Sequence, residues 1–241
     1  MTTMPSEDRQ AERAGPHATW TVEVALYGAA FALGLALRLL ALGRWPLQYE
    51  EAGLALDAWR FARALPSTLR GHSPLLFHGN ALLFFLTNGS DELARSWCVL
   101  FGSLMVLLPY GLRRHVGRIG ALAVSVLIAI SPSLTYFSRS VDGNIIVAFC
   151  ALALLVTLAD AWPRPGSMHI VAVSVLLALA LLSGPSAYTL LAVMLTFLIF
   201  VALYARFRDS GPLEEVRGAW YAVRADSPAW RSALSLVLVL F

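Results

Sequence analysis

The stretch GRWPLQYEEAGLALDAWRFARALPSTLRGHSPLLFHGNALLFFLTN, residues 43–88, decides how this chain is arranged. Its first part, Gly43–Ser73, is polar and carries the adjacent acids Glu50 and Glu51, the arginines Arg44, Arg60, Arg63 and Arg70, and His72. Its second part, Pro74–Asn88, is apolar but only about 15 residues long, short of the roughly 20 that a membrane-crossing helix needs. That length fits a helix lying at the membrane interface, or re-entering it, better than one that crosses. Acids and arginines gathered in one loop of a membrane protein point to a site built at that bilayer face.

Outward from this loop the chain is apolar. With 58% hydrophobic and 14% charged residues and a mean hydropathy of +0.68, it exposes too much apolar surface to be packed into one soluble core. The reading is an all-α, polytopic bundle of transmembrane helices, because backbone in lipid must satisfy its own hydrogen bonds. Apolar runs place spans near 20–42, 92–112, 119–136, 143–161, 167–183 and 187–206, and a further run begins at Ala229, for about seven in all. Residues 1–19 read as a disordered tail, and 20–241 as one membrane module. The last run, Ala229–Phe241, stops after about 13 residues, so the module is expected to be cut short at its C-terminus. Nothing in the pattern calls for a nucleic-acid partner.

All 18 basic residues are arginine. If 74–88 lies flat and the N-terminus is cytoplasmic, most arginines fall on the inner side, as the positive-inside rule requires. Crossing by 74–88 with the same N-terminal orientation puts most of them outside. Crossing with the N-terminus outside satisfies the rule again, so charge leaves two arrangements open. The flat reading is preferred on length, and it puts the 43–73 loop and the Ser138–Asn144 turn on one outer face. Arg38 and Asp160, near the ends of their spans, read as side chains snorkelling to headgroups. Cys98 and Cys150, inside apolar runs, read as small hydrophobes, with no disulfide or metal framework.

Segment order carries a resemblance. An apolar span ending in arginine precedes PLQYEEAGLALDAWRFAR (46–63), GHSPLLFHGNALLFFLTNGSDELARSW (71–97), GLRRHVGRIGALA (111–123) and SPSLTYFSRSVDGNIIVAF (131–149). This resembles the N-terminal part of membrane glycosyltransferases of the GT-C fold, the protein-mannosyltransferase and aminoarabinose-transferase group (family-39-like), with related flippase-associated archaeal glycosylation proteins. The resemblance implies a sugar moved from a polyprenyl-phosphate carrier to a protein, lipid or glycan acceptor at the extracytoplasmic face of the plasma membrane. It also implies two juxtamembrane helices near 50–64 and 74–88, an acidic pair at Glu50 and Glu51, and a second acid just beyond Ser138 and Arg139. The family pair usually begins with Asp, which is Glu50 here. The second acid falls on Asn144 or, two residues earlier, on Asp142.

The chemistry wants such residues whatever the family. Displacement at an anomeric carbon needs a carboxylate to take the acceptor's proton, and the departing phosphate needs cations or donors. Glu50 is expected as base with Glu51 as partner. Arg63, Arg70, Arg139 and His72 are expected around the phosphate, and Glu51 or Asp142 is a candidate ligand for a divalent cation. Plain readings compete: acids at a helix N-terminus suit its dipole, and arginines anchor loops to headgroups. A rival class is a non-catalytic subunit, binding a lipid carrier or associated with a flippase.

Overall fold

The computed structural model describes residues 16–44, 46–67, 73–162 and 166–207, and every regular element among them is helical. Helix α1 is Pro16–Leu39, α2 Tyr49–Ala62, α3 Pro74–Leu86 and α4 Asp91–Leu104; α4 continues through a 3-10 stretch, Met105–Leu112, into α5, Arg113–Val116. Then come α6 Arg118–Ile130, α7 Pro132–Ser138, α8 Asn144–Ala161, α9 Ser167–Ser183 and α10 Ser186–Phe207. The tail of 1–15 and the run after Ala229 lie outside the described residues, and the first helix begins at Pro16, a few residues before the expected 20.

Local chemistry sets the starts. Ser73, Ser90 and Ser131 each accept a hydrogen bond from the backbone N–H three residues on, and Pro74 and Pro132 take the first helical position, where no N–H is needed. Pro109 sits inside the 3-10 stretch of the long Asp91–Val116 span, where the missing N–H and the ring loosen the α pattern. Helix α2 closes with Ala64 at φ 55°, a left-handed residue that lets Leu65 N–H reach the Arg60 carbonyl at 2.9 Å.

Contacts between helix ends trace the path. At one level, Glu23 near the start of α1 meets Arg113 at 3.9 Å and Arg118 at 3.7 Å, while Asp160 meets Arg114 at 3.9 Å and His169 at 3.2 Å. At the other level, Arg95 in the first turns of α4 donates to the Leu42 carbonyl at 2.7 Å, and Arg139 after α7 donates to the Ala41 carbonyl at 3.0 Å. So α1, α4–α5, the α6–α7 pair, α8, α9 and α10 alternate between the two levels. Four of these are long and apolar enough to cross a membrane, and the α6–α7 pair makes a fifth if counted as one span. Helix α9, at 17 residues, falls short of that length, yet its ends lie beside the two ends of α8. The protein is an integral membrane protein. The expected seventh span lies outside the described residues.

Residues 43–90 leave and return at the same level. The start of α2 is tied to α4 through Glu51 and Arg95 at 3.2 Å, and its end through Arg63, which donates to Asn88 Oδ1 at 3.3 Å, three residues before α4 begins. Helix α3 starts beside Gly143 and ends at that same Asn88. Both helices thus begin and end at that level, as the flat reading expects. The two match the juxtamembrane helices expected at 50–64 and 74–88.

One expected span is not straight. The run at 119–136 is broken at Ser131–Pro132 into α6 and α7, which meet at a bend of 57°. Arg38 is corrected as well: it does not snorkel but is 0% exposed, with Nη1 on the Gly34 carbonyl at 2.9 Å and Nε on Ser138 Oγ at 3.1 Å. The core joins α2, α3, α4 and α8 through Ala58, Leu76, Phe77, Phe84, Ala94, Ile145 and Ile146. Cys98 and Cys150 are buried thiols within it, as small residues that let helices approach.

Candidate functional site

The start of α2, the 139–143 turn and the end of α9 enclose a cleft of 870 Å³, a size ordinary for a small-molecule site. Glu50, Glu51, Asp57 and Arg60 line it from α2; Ser140, Asp142 and Asn144 from the turn and start of α8; Ser183 at the end of α9 and Gly184 and Pro185 just beyond it. The loop holding Glu50 and the turn holding Asp142, two spans apart in sequence, thus share one cavity. Close packing makes this possible. A Cβ on Gly143 would collide with the Ser183 carbonyl, so the turn and the α9 end touch backbone to backbone.

The two neighbouring glutamates have different surroundings. Glu50 is exposed to the cleft, whereas Glu51 is buried, and both of its oxygens are occupied. Oε2 accepts from Arg95 Nη2 at 3.2 Å and from Gln48 N–H at 3.1 Å, and Oε1 accepts from Val141 N–H at 3.1 Å. The bond to Gln48 is the reach-back of an acid at the third helical position, which satisfies an orphan N–H at the helix start. The bond to Val141 ties α2 to the 139–143 turn. Glu51 is therefore a clamp joining α2, α4 and that turn.

The other expected residues separate. Asp142 lines the cleft, and its two oxygens accept from Asn144, Oδ1 from the backbone N–H at 3.1 Å and Oδ2 from Nδ2 at 2.7 Å, so it also caps α8. Arg139 lies in an adjoining cavity of 780 Å³ with Arg95, whose walls are Leu37, Leu42, Ile130 and Pro132. Gln48, Glu51, Tyr136 and Ser140 border both cavities, and Gln48 Nε2 donates to the Tyr136 hydroxyl at 3.3 Å between them. Arg63 is not brought to either cavity. It pairs with Asn88 and lies over the Trp59 ring at 5.9 Å, at the far end of α2. Arg70 and His72 lie outside the described residues. Among the described residues, no three His, Cys, Asp or Glu side chains cluster in a way that would hold a metal ion.

Three residues of these cavities were given no catalytic or binding role from sequence. Asp57 and Arg60 lie about two and three turns along α2 from Glu50, and the seven-residue interval from Glu50 to Asp57 was the available signal. Arg95 is 6% exposed and follows the spacing of Cys98 and Gly102, which marks it as facing the packed side of α4.

An all-helical membrane bundle with an acid-lined cleft at one level and cations beside it defines a polytopic membrane protein equipped to bind a polar substrate next to lipid. The particular kind follows from comparison with known families. The chain belongs to the dolichyl-phosphate-mannose-protein mannosyltransferase family, whose profile matches residues 71–216. It is thus a membrane glycosyltransferase of the type that draws its sugar from a polyprenyl-phosphate donor. The match starts beyond Glu50 and Glu51 and includes Arg95, Arg139 and Asp142. No curated protein and no solved structure matches the chain.

Proposed function

We propose that this protein transfers a sugar from a polyprenyl-phosphate donor to a hydroxyl-bearing acceptor in the cleft, at the extracytoplasmic face of the plasma membrane. The acceptor O–H gives its proton to the Glu50 carboxylate as its oxygen bonds the anomeric carbon. The anomeric carbon–phosphate oxygen bond breaks in the same displacement, and the lipid phosphate leaves with the electron pair. Arg60 in the cleft and Arg139 in the adjoining cavity are the cations positioned for that charge, with planar guanidiniums suited to phosphate oxygens.

One observation carries this reading: Glu50 is the acid of the pair that opens to the cleft, while Glu51 is fully occupied beneath it. A base must reach the proton it removes, and Glu50 has that access. The test is turnover of purified full-length protein in nanodiscs with a radiolabelled polyprenyl-phosphate sugar, comparing wild type with Glu50→Gln. A loss of about 10²–10⁴-fold is expected. Equal turnover in the two would remove Glu50 from the chemistry, and retained carrier binding without any transfer in wild type would favour a binding subunit.

A further inference from the structure

Arg38 lies in the first span, contributes nothing to either cavity, and is nevertheless the largest fully buried side chain among the described residues. Among those residues no carboxylate pairs with it. A cation in such a place is costly unless dipoles surround it. Its partners are the Gly34 carbonyl at 2.9 Å, Ser138 Oγ at 3.1 Å, and longer contacts to the carbonyls of Ile128 at 3.4 Å and Ala129 at 3.5 Å. The last two belong to the end of α6, where Pro132 stops the helix and leaves carbonyls without intrahelical donors, at the negative end of its dipole.

Arg38 thus grips both sides of the 57° bend: the end of α6 through carbonyls, and the end of α7 through Ser138. Ser138 is itself fixed, donating to the Leu134 carbonyl at 2.5 Å. Room for the guanidinium comes from two glycines. A Cβ on Gly34 would lie 3.1 Å from Arg38 Nη1, and one on Gly102 would collide with the Ser138 side chain. The next residue after Ser138 begins the turn that carries Asp142 into the cleft and offers Val141 N–H to Glu51.

We infer that Arg38 is a positioning residue for the cleft: by bracing the α6–α7 bend it sets where the 139–143 turn stands relative to Glu50. This rests on the transferase reading for its kinetic arm only. The role needs a guanidinium, whose donors fan out to acceptors in several directions, where lysine offers one nitrogen.

The experiment places spin labels at Gly53→Cys on α2 and Ser133→Cys on α7, both exposed, in full-length protein in nanodiscs. Cys98 and Cys150 are 0% exposed and stay unlabelled. Pulsed-EPR distances are read in wild type, R38K, R38Q and the milder Ser138→Ala. A narrow distribution in wild type is expected to broaden and shift in R38Q, with R38K and Ser138→Ala between. Turnover is expected to fall by up to about 100-fold in kcat with KM little changed, since small misplacements of reacting groups cost that much. Unchanged distances in both R38Q and Ser138→Ala would overturn the brace. If wild type shows no turnover, the transferase reading fails while the distances still decide the brace.

Discussion

Replacing Glu51 by alanine separates the two glutamates most sharply. Glu51 and Arg95 are 10% and 7% exposed at their side chains, so their ion pair is shielded from water. Truncating Glu51 leaves the Arg95 charge buried without its carboxylate, among acceptors that include the Leu42 and Pro46 carbonyls at 2.7 and 3.3 Å. Breaking a buried pair in this way costs about 3–5 kcal/mol. For a chain of this size each kcal/mol lowers the midpoint by about 2–4 °C, so a drop of about 6–20 °C is expected. Glu50→Gln, at an exposed position, should change stability by no more than about 0.5 kcal/mol while removing turnover. The assay is thermal unfolding of both variants in the same detergent, run beside the transfer reaction. A Glu51→Ala midpoint equal to wild type would refute the clamp, because no buried charge would then have been stranded.

Other consequences follow from the same contacts. The double variant Glu51→Met with Arg95→Met removes both charges together and should recover most of the stability that either single change loses, read as a coupling energy in a double-mutant cycle. Gly143→Ala drives a methyl into the Ser183 carbonyl and should destabilise by at least about 1–3 kcal/mol, whereas Gly53→Ala, mid-helix with nothing within 4 Å of the new Cβ, should stabilise by about 0.5–1 kcal/mol. Thermal midpoints of opposite sign check the pair. Cysteines at Gly53 and Asn88 should react with an impermeant thiol reagent from the same side of a sealed vesicle, and one at Met168, 80% exposed at the other level, from the opposite side. Labelling of 53 and 88 from opposite sides would contradict a 43–90 segment that returns where it began.

Most of the architecture was legible because length and apolarity are what a bilayer reads. The runs at 92–112, 143–161, 167–183 and 187–206 became helices at those places, and Pro74–Leu86 is too short to cross, as its residue count implied. The break at Pro132 was hidden by the same property. Hydropathy does not register a missing N–H, so 119–136 read as one span although Ser131–Pro132 carries a capping serine before a first-position proline. Arg38 misled for a related reason. From sequence an arginine near a span's end has headgroups within reach, and only the bend in a helix 90 residues further on supplies carbonyls nearer still. Arg63 and Arg139 looked equivalent as phosphate cations until the parallel run of α2 and α3 carried Arg63 away to Asn88.

The acidic pair shows how far a motif can be read without its partners. Neighbours on a helix point about 100° apart, so Glu50 and Glu51 were never able to face one atom together. One side of α2 had to meet protein and the other the cleft, and the sequence does contain the cue for which is which. Glu51 stands three residues after Gln48, where an acid reaches back to the helix start, and four before Ala55, seven before Ala58, the small residues that pack α2 against its neighbours. Glu50 instead continues along the face of Gly53, Leu54 and Asp57, all lining the cleft. Of the acids along that face, Glu50 is the exposed one, and Asp57, at 5%, is buried. Glu51 acts beneath them, and what it holds in place is the Val141 backbone and with it the turn that brings Asp142 across.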